Sequence, residues 1–475
     1  MPTSSSRHAL HPRHSFLPRA LAVCALVCAL ASVPALADPA VSTIFAFRGS
    51  VGNGGIVQGP DGALYGTTST GSPVTGGLVY SSALNGVPVT TIHQFTGTEG
   101  SQPSAGLLQG SDGYLYGVTR LGEASKSNEP GTVFRLAYDG SGFEILHYFA
   151  LWTSTNVKSS PINTDGAYPS GALIEGSDGY LYGVTLAGGS NGTGVIFRMS
   201  RDGSDFQAIF EFSAVTSSSS DSLTINETGS APKGALLQAP DGYLYGATSV
   251  GGSAGRGTIF RVHMDGSGFE VVHDFTDLSS DSPYTNVDGA YPPFGLTDGQ
   301  DGLLYGVANS GGSDGAGTVF SVDPNSLTFT VLHDFDTTGG SVPSGPLLLA
   351  SDSLLYGVTA AGGTNSNGDS TNYGTLYSIA RDGTGFQTLY SFDATQGSAP
   401  SGPLLELDPN TFIGVTTATG QCGQGTLFQL SLTGDVVAGN TTCGLKKQNK
   451  GGGGLEPEFL LLLVAAGLLR RRRRA

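Results

Sequence analysis

Residues 241–246 read Asp241-Gly242-Tyr243-Leu244-Tyr245-Gly246, and the same string with one variable position opens at Asp61, Asp112, Asp178 and Asp301. At Asp352 it carries Ser353 in place of the first glycine. A degenerate seventh copy reads Asn410-Thr411-Phe412-Ile413-Gly414. The closing glycines at 66, 117, 183, 246, 306, 357 and 414 lie 51 to 66 residues apart. Asp-Gly is a strong hairpin signal, because glycine accepts positive φ and aspartate closes the turn with its own side chain. An alternation of turn and β-prone residues that returns seven times marks a repeat architecture.

Three further elements travel with each copy. Upstream stands Gly-x-x-Pro followed by an apolar pair, as at 100–108, 166–174 and 397–405. Downstream stands Gly-Thr-Val-Phe-Arg, as at 131–135, with relatives at 257–261 and 317–321. Last comes an apolar run such as Phe143-Glu144-Ile145-Leu146-His147-Tyr148-Phe149. Each is short and rich in β-branched or aromatic residues, so each repeat reads as four strands, A to D. Helices are disfavoured by the 74 glycines. Tight Asp-Gly turns join A to B and, at Asp139, Asp202, Asp265 and Asp382, C to D. The long B–C and D–A loops then share the opposite face.

The two ends of the body belong together. Residues 41–47, Val-Ser-Thr-Ile-Phe-Ala-Phe, match strand D but precede the first strand A. The seventh repeat has A, B and C over 404–430 and only a weak D of its own. An N-terminal strand completing the last blade would leave no open edge. The expected fold is all-β, a seven-bladed β-propeller of four-stranded antiparallel blades over 38–437. A linear β-solenoid would leave the orphan strand unexplained.

The string over 241–275, DGYLYGATSVGGSAGRGTIFRVHMDGSGFEVVHDF, resembles the GloVer tandem repeat of bacterial surface proteins with a choice of C-terminal anchors. The resemblance covers nearly all of residues 41–437. It implies architecture and surface location, and little about activity.

The flanks read as export and sorting signals. Arg7, Arg13 and Arg19 precede an apolar run over 20–36, and Ala35-Leu36-Ala37 offers a cleavage site that makes Asp38 the mature start. Residues 1–37 are therefore expected to be a signal peptide. Residues 438–454 form a glycine-rich linker ending in Gly451, Gly452, Gly453 and Gly454. Residues 455–475 hold an eleven-residue apolar run and five arginines. That run is too short to span a bilayer in the usual way, but the basic block after it has a stop-transfer character. Together they resemble the GlyGly-type C-terminal sorting signals of Gram-negative bacteria, with a PEP-type signal as the related alternative. The resemblance implies transient membrane anchoring and a sorting protease acting near the glycines, besides signal peptidase at Ala37. The expected location is the cell envelope, the cell surface or the medium of a Gram-negative bacterium.

Without its flanks the body, residues 38–450, holds 14 basic and 36 acidic residues, a net charge of −22. Nucleic acid and anionic lipid are not expected partners. Cys422 and Cys443 are the cysteines that remain, and an oxidising compartment would let them pair.

Candidate chemistry is sparse. His93, His147, His273 and His333 fall at one position of strand D, where Phe45, Phe210 and Tyr390 stand in other repeats. A position that accepts His, Phe or Tyr calls for a flat ring, so packing is expected and metal ligation or base catalysis is not. The Asp-Gly pairs offer one carboxylate each, short of a calcium loop. The Gly-rich B–C loops lack the Gly-Lys-Ser/Thr of a phosphate loop. Neither a catalytic residue, nor a metal site, nor a cofactor is assigned. The most individual segments are the D–A loops at 151–167, 213–230 and 276–290. With their flanks they carry Trp152, Asp165, Tyr168, Tyr284, Asp288 and Tyr291, a set that suits sugars or cationic groups. The expected function is a non-enzymatic binding or adhesion module with a carbohydrate or surface-protein ligand. An extracellular polysaccharide hydrolase or lyase, and a structural envelope component, are the alternatives. Polar residues unique to one repeat and converging on the central mouth would favour the enzyme, and repeat-equivalent residues only would favour binding or a scaffold.

Overall fold

A computed structural model describes residues 38–435, apart from 48–51, 53, 70–75, 123–129, 153, 156–159, 217–222 and 365–366. The signal peptide, the sorting signal and Cys443 lie outside the described residues. Every regular element described is a β-strand. The strands form seven antiparallel blades, plus a two-stranded hairpin, Ser154–Thr155 with Pro161–Ile162, in the loop before the third blade. The chain is the seven-bladed β-propeller that its repeats imply.

Blade 4 shows the plan. Strand A, Asn226–Gln238, pairs with B, Tyr243–Gly252; B pairs with C, Thr258–His263; and C pairs with D, Glu270–Asp274. The inner strands are buried on both faces. All five residues of Leu64–Thr68 in blade 1 and of Leu304–Ala308 in blade 5 are buried. Neighbouring blades cover both sides of a B strand, so the polar-out alternation of a one-sided sheet is lost.

The repeated string has a specific task at each position. In Asp241-Gly242, one carboxylate oxygen accepts from the Tyr243 N–H at 3.1 Å and holds the turn. The other accepts from the Tyr245 hydroxyl at 2.7 Å. The same clamp joins Asp61 to Tyr65, Asp112 to Tyr116, Asp178 to Tyr182, Asp301 to Tyr305 and Asp352 to Tyr356, at 2.7 to 2.8 Å. A buried phenol thereby keeps a strong acceptor. The glycine after the tyrosine is required by crowding: a Cβ on Gly117 would fall on the ring of Phe134 in strand C. Further up the B–C pair, Thr119 and Thr132 share a hydroxyl hydrogen bond of 2.7 Å, repeated by Thr248 with Thr258 and Thr416 with Thr426.

The strand D ring position is a packing position. His93, His147, His273 and His333 stack on Phe143, Phe206, Phe329 and Phe386 with centroids 3.6 to 3.8 Å apart. Where phenylalanine replaces histidine, Phe210 stacks on Phe269 at 3.9 Å. Each stack joins one blade to the next.

Ring closure follows the same logic. The N-terminal strand Ala40–Ala46 pairs antiparallel with Thr426–Ser431, from Ala40 opposite Ser431 to Ala46 opposite Thr426. Ile44, Phe45 and Phe47 are buried in one cluster with Ile413, Val415 and Leu427 of the last blade and Ile56, Leu64 and Tyr80 of the first. The seventh blade is therefore built from both ends of the described chain, as the orphan strand predicts.

Strand A departs from a uniform four-stranded pattern. In blades 2 and 6 it is split, into Ser101–Pro103 and Leu108–Gln109, and into Ser341–Pro343 and Leu348–Leu349. In blades 3, 4 and 7 it is continuous but irregular in register. Two features bend it. The residue before its proline is left-handed in six blades: Gln102, Tyr168, Ala231, Tyr291, Val342 and Ala399 have φ between +51° and +59°. That conformation costs an ordinary residue about 1–2 kcal/mol. It is offset by an interblade bond, as when the Tyr168 N–H donates to the Pro130 carbonyl at 2.7 Å. Further along, glycines of adjacent blades meet backbone to backbone around the axis: a Cβ on Gly106 would stand 3.0 Å from the Cα of Gly55.

Candidate ligand-binding site

Seven A strands around an axis leave a central channel. It encloses about 450 Å³, within the usual range for a small-molecule site. Its wall is mostly Gly, Ala, Ser and Pro from the A strands, with residues from the far ends of three B strands.

The wall is nearly uniform, so its exceptions stand out. Directly after the strand A proline come Ser104, Ser170, Lys233, Pro293, Ser344 and Ser401 in blades 2 to 7. Three of the four serines knit the ring. Ser104 donates to the Pro169 carbonyl at 2.8 Å, Ser170 to Pro232 at 3.1 Å and Ser344 to Pro400 at 2.6 Å, each across one blade boundary. Lys233 has no such bond. One residue further on, Phe294 stands where blades 3, 4, 6 and 7 have Gly171, Gly234, Gly345 and Gly402. At the end of strand B the equivalent residues are Ser69, Arg120, Leu186, Ser249, Asn309, Ala360 and Thr417. Arg120, Leu186 and Thr417 line the channel. Among the described residues of the lining, Arg120 and Lys233 are the charged ones, and none is a carboxylate or an imidazole.

Both cations stand near the face that carries the B–C and D–A loops, since strand A starts there and strand B ends there. Lys233 is open to water along the channel but encircled by the wall. This enclosure, and secondarily the Arg120 charge, hold its ammonium below the ordinary lysine range. The Arg120 guanidinium lies 5.6 Å from the centroid of the Tyr168 ring, a cation–π contact.

The pair is also unusual in what it lacks. Arg135, Arg201, Arg256, Arg261 and Arg381 form ion pairs with Glu144, Glu175, Asp277, Glu270 and Asp301. Arg198 donates to Gln207 at 3.1 Å and lies over Tyr180. Among the described arginines and lysines, only Arg120 and Lys233 have neither an acidic partner nor a hydrogen bond. They do so in a body of net charge −22. Two like charges in one narrow cavity with no counter-charge are unfavourable in the empty protein.

Most of the residues expected from the loops are held by local partners. Asp165 accepts from the Ala150 N–H at 2.9 Å and meets His147 Nε2 at 3.0 Å. Asp288 is buried, meets His273 Nε2 at 3.0 Å and accepts from the Thr276 N–H at 3.0 Å. Both carboxylates tie the start of a D–A loop to the strand D histidine. Tyr291 is covered by Arg256, 5.4 Å from its ring centroid. Trp152 is half-buried and Tyr284 is exposed. Tyr168 alone of the six reaches the channel pair, through Arg120. Arg120 and Lys233 lie outside the loops that aromatic and acidic content single out. Aligning the repeats on their prolines exposes Lys233 in a column of serines. Cys422 is disulfide-bonded, with its partner outside the described residues. No group of three or more metal-ligating side chains occurs among the described residues.

No curated protein matches the chain. Among solved structures it is similar to the extracellular domain of a one-component system from B. thetaiotaomicron. There the identity is 12%, the match covers 82% of this chain and 40% of the other, and the TM-score is 0.48. The chain thus spans well under half the length of that domain. An oligogalacturonate lyase from Vibrio parahaemolyticus is similar at 11% identity, over 83% of this chain and 97% of the other, with a TM-score of 0.47. A gluconolactonase from Xanthomonas campestris is similar at 13% identity, over 70% and 87%, with a TM-score of 0.36. The model of one repeat family matches residues 35–227, 151–280 and 220–369, most of the propeller. By that match the chain belongs to the Gloeobacter/Verrucomicrobia repeat family.

Proposed function

We propose that this protein is an exported, surface-displayed propeller that binds a small ligand without transforming it, with the mouth of the central channel as its site. The carrying observation is the pair Arg120 and Lys233, which places charge in the channel wall at two positions that the other blades fill with neutral residues. Most residues the repeats share are committed to turns, clamps and stacks. Specific function belongs where the repeats differ. Among the described residues Lys233 is the one side chain of the lining capable of proton transfer, with no carboxylate or imidazole beside it to complete an acid–base pair, which favours binding over hydrolysis or elimination.

Export rests on the basic start, the apolar run and the Ala35-Leu36-Ala37 site. Surface display rests on the glycine linker, apolar run and arginine block. Signal peptidase and a C-terminal sorting protease are the processing partners in this reading, with transient anchoring by the tail. A disulfide between Cys422 and Cys443 would tie the linker to the last blade.

A glycan array probed with the protein and two variants tests the reading. Leu186→Trp narrows the channel at a position that takes arginine in blade 2, so the fold should accept it. Trp152→Ala alters the loop sector alone. Binding lost in Leu186→Trp and kept in Trp152→Ala is expected. Binding lost only in Trp152→Ala would move the site to the loops.

A further inference from the structure

We propose that the channel mouth is an oxyanion site for a small organic acid, whose anionic group sits between Arg120 and Lys233 and whose body lies against Phe294. This rests on the channel being the binding site, and adds the chemical class of the ligand.

Three observations carry it. First, the two cations have no acidic or hydrogen-bonding partner among the described residues, although acidic side chains outnumber basic ones in the body by 36 to 14. Second, they come from blades 2 and 4 and line one cavity, so their proximity is a property of the closed ring and not of one local turn. Third, lysine here displaces the serine that bridges blades elsewhere, so a ring-stabilising bond is given up for a charge. An oxyanion supplies the missing counter-charge to both groups. The surrounding wall strengthens the attraction further, because low-polarity surfaces beside a charge pair screen it less than bulk water does. Phe294 adds an apolar face to a wall otherwise made of small residues. The guanidinium, already held against Tyr168, is the better preorganised partner. The ammonium is the more adaptable one.

Titration calorimetry with D-glucuronate, D-glucose and inorganic phosphate tests the inference on the full-length protein and on Lys233→Ser, Lys233→Arg and Leu186→Trp. Lys233→Ser restores the residue found in four other blades, so it should fold. Binding of glucuronate or phosphate is expected, weakened roughly tenfold or more by Lys233→Ser, largely restored in Lys233→Arg and reduced by salt. Phosphate binding tighter than glucuronate assigns the natural anion to a phosphate group, and the reverse assigns it to a carboxylate. Glucose binding as tightly as glucuronate, with both blocked by Leu186→Trp, would overturn the oxyanion assignment and leave the channel as the site. Anion binding indifferent to both Lys233→Ser and Leu186→Trp would overturn both. Binding of neither anion would overturn the oxyanion assignment.

Discussion

Arg120 and Lys233 reach into one channel from blades two apart in the ring, and neither meets a carboxylate. Around them the propeller is held by repeated contacts whose energies can be checked one at a time.

The Asp–Tyr clamp is a coupled pair. In blade 4, Asp241→Ala removes both the turn acceptor and the acceptor of the Tyr245 hydroxyl. A loss of about 1–3 kcal/mol is expected, and Tyr245→Phe should cost about 1 kcal/mol. The double variant should lose less than the sum. Urea midpoints of the four proteins measure the coupling.

Two tyrosines break the pattern in the other direction. Tyr80 and Tyr377 occupy the strand C position held by Phe134, Phe197, Phe260, Phe320 and Phe428, and their hydroxyls are buried without a partner. Burial alone drives both phenols far above their ordinary range. Tyr377→Phe should raise stability by about 1 kcal/mol or more, because an unsatisfied polar group leaves the core. Thermal denaturation reads this as a higher Tm.

His93 makes the protein acid-sensitive. Burial is the main cause that lowers its pKa to about 4, outweighing Glu99 3.5 Å away. The unfolded chain takes up this proton near pH 6.5, and the folded chain only near 4. The associated stability is therefore complete above pH 6.5 and declines between 6.5 and 4, by about 3 kcal/mol in all. His93→Phe copies the ring that Phe210 supplies in blade 3. It should flatten the stability profile over that interval, measured by urea unfolding at a series of pH values.

Closure by the N-terminal strand is a global matter. Deleting residues 41–47 removes the buried side chains of Ile44, Phe45 and Phe47, each worth about 1.5–3 kcal/mol. It also exposes the edge of Thr426–Ser431. A large fall in Tm with increased aggregation is expected. An unchanged melting curve would contradict closure by this strand.

Most of the fold was legible because the chain states it seven times. The Asp-Gly turns, the strand order and the split last blade all follow from the spacing of short motifs. The interruption of strand A was not legible. It depends on left-handed residues before proline, such as Tyr168, and on glycines such as Gly55 and Gly106 meeting across blades, and both are visible only once the ring is closed. The site was hidden for a related reason. Arg120 lies at the end of a B strand and Lys233 near the start of an A strand, 113 positions away in sequence. Only ring curvature brings them together. The aspartates that composition favoured, Asp165 and Asp288, are bound to histidines that periodicity had marked as packing residues.

The claim that Lys233 is kept for a ligand, and not for the framework, is tested most directly by the urea midpoint of Lys233→Ser without ligand. The serine should bridge to the next blade as Ser170 does to Pro232 at 3.1 Å. It should also relieve the repulsion from Arg120, so the variant is predicted to be more stable than the natural protein by about 1 kcal/mol. A lower midpoint would show that the lysine supports the ring, and would contradict the account.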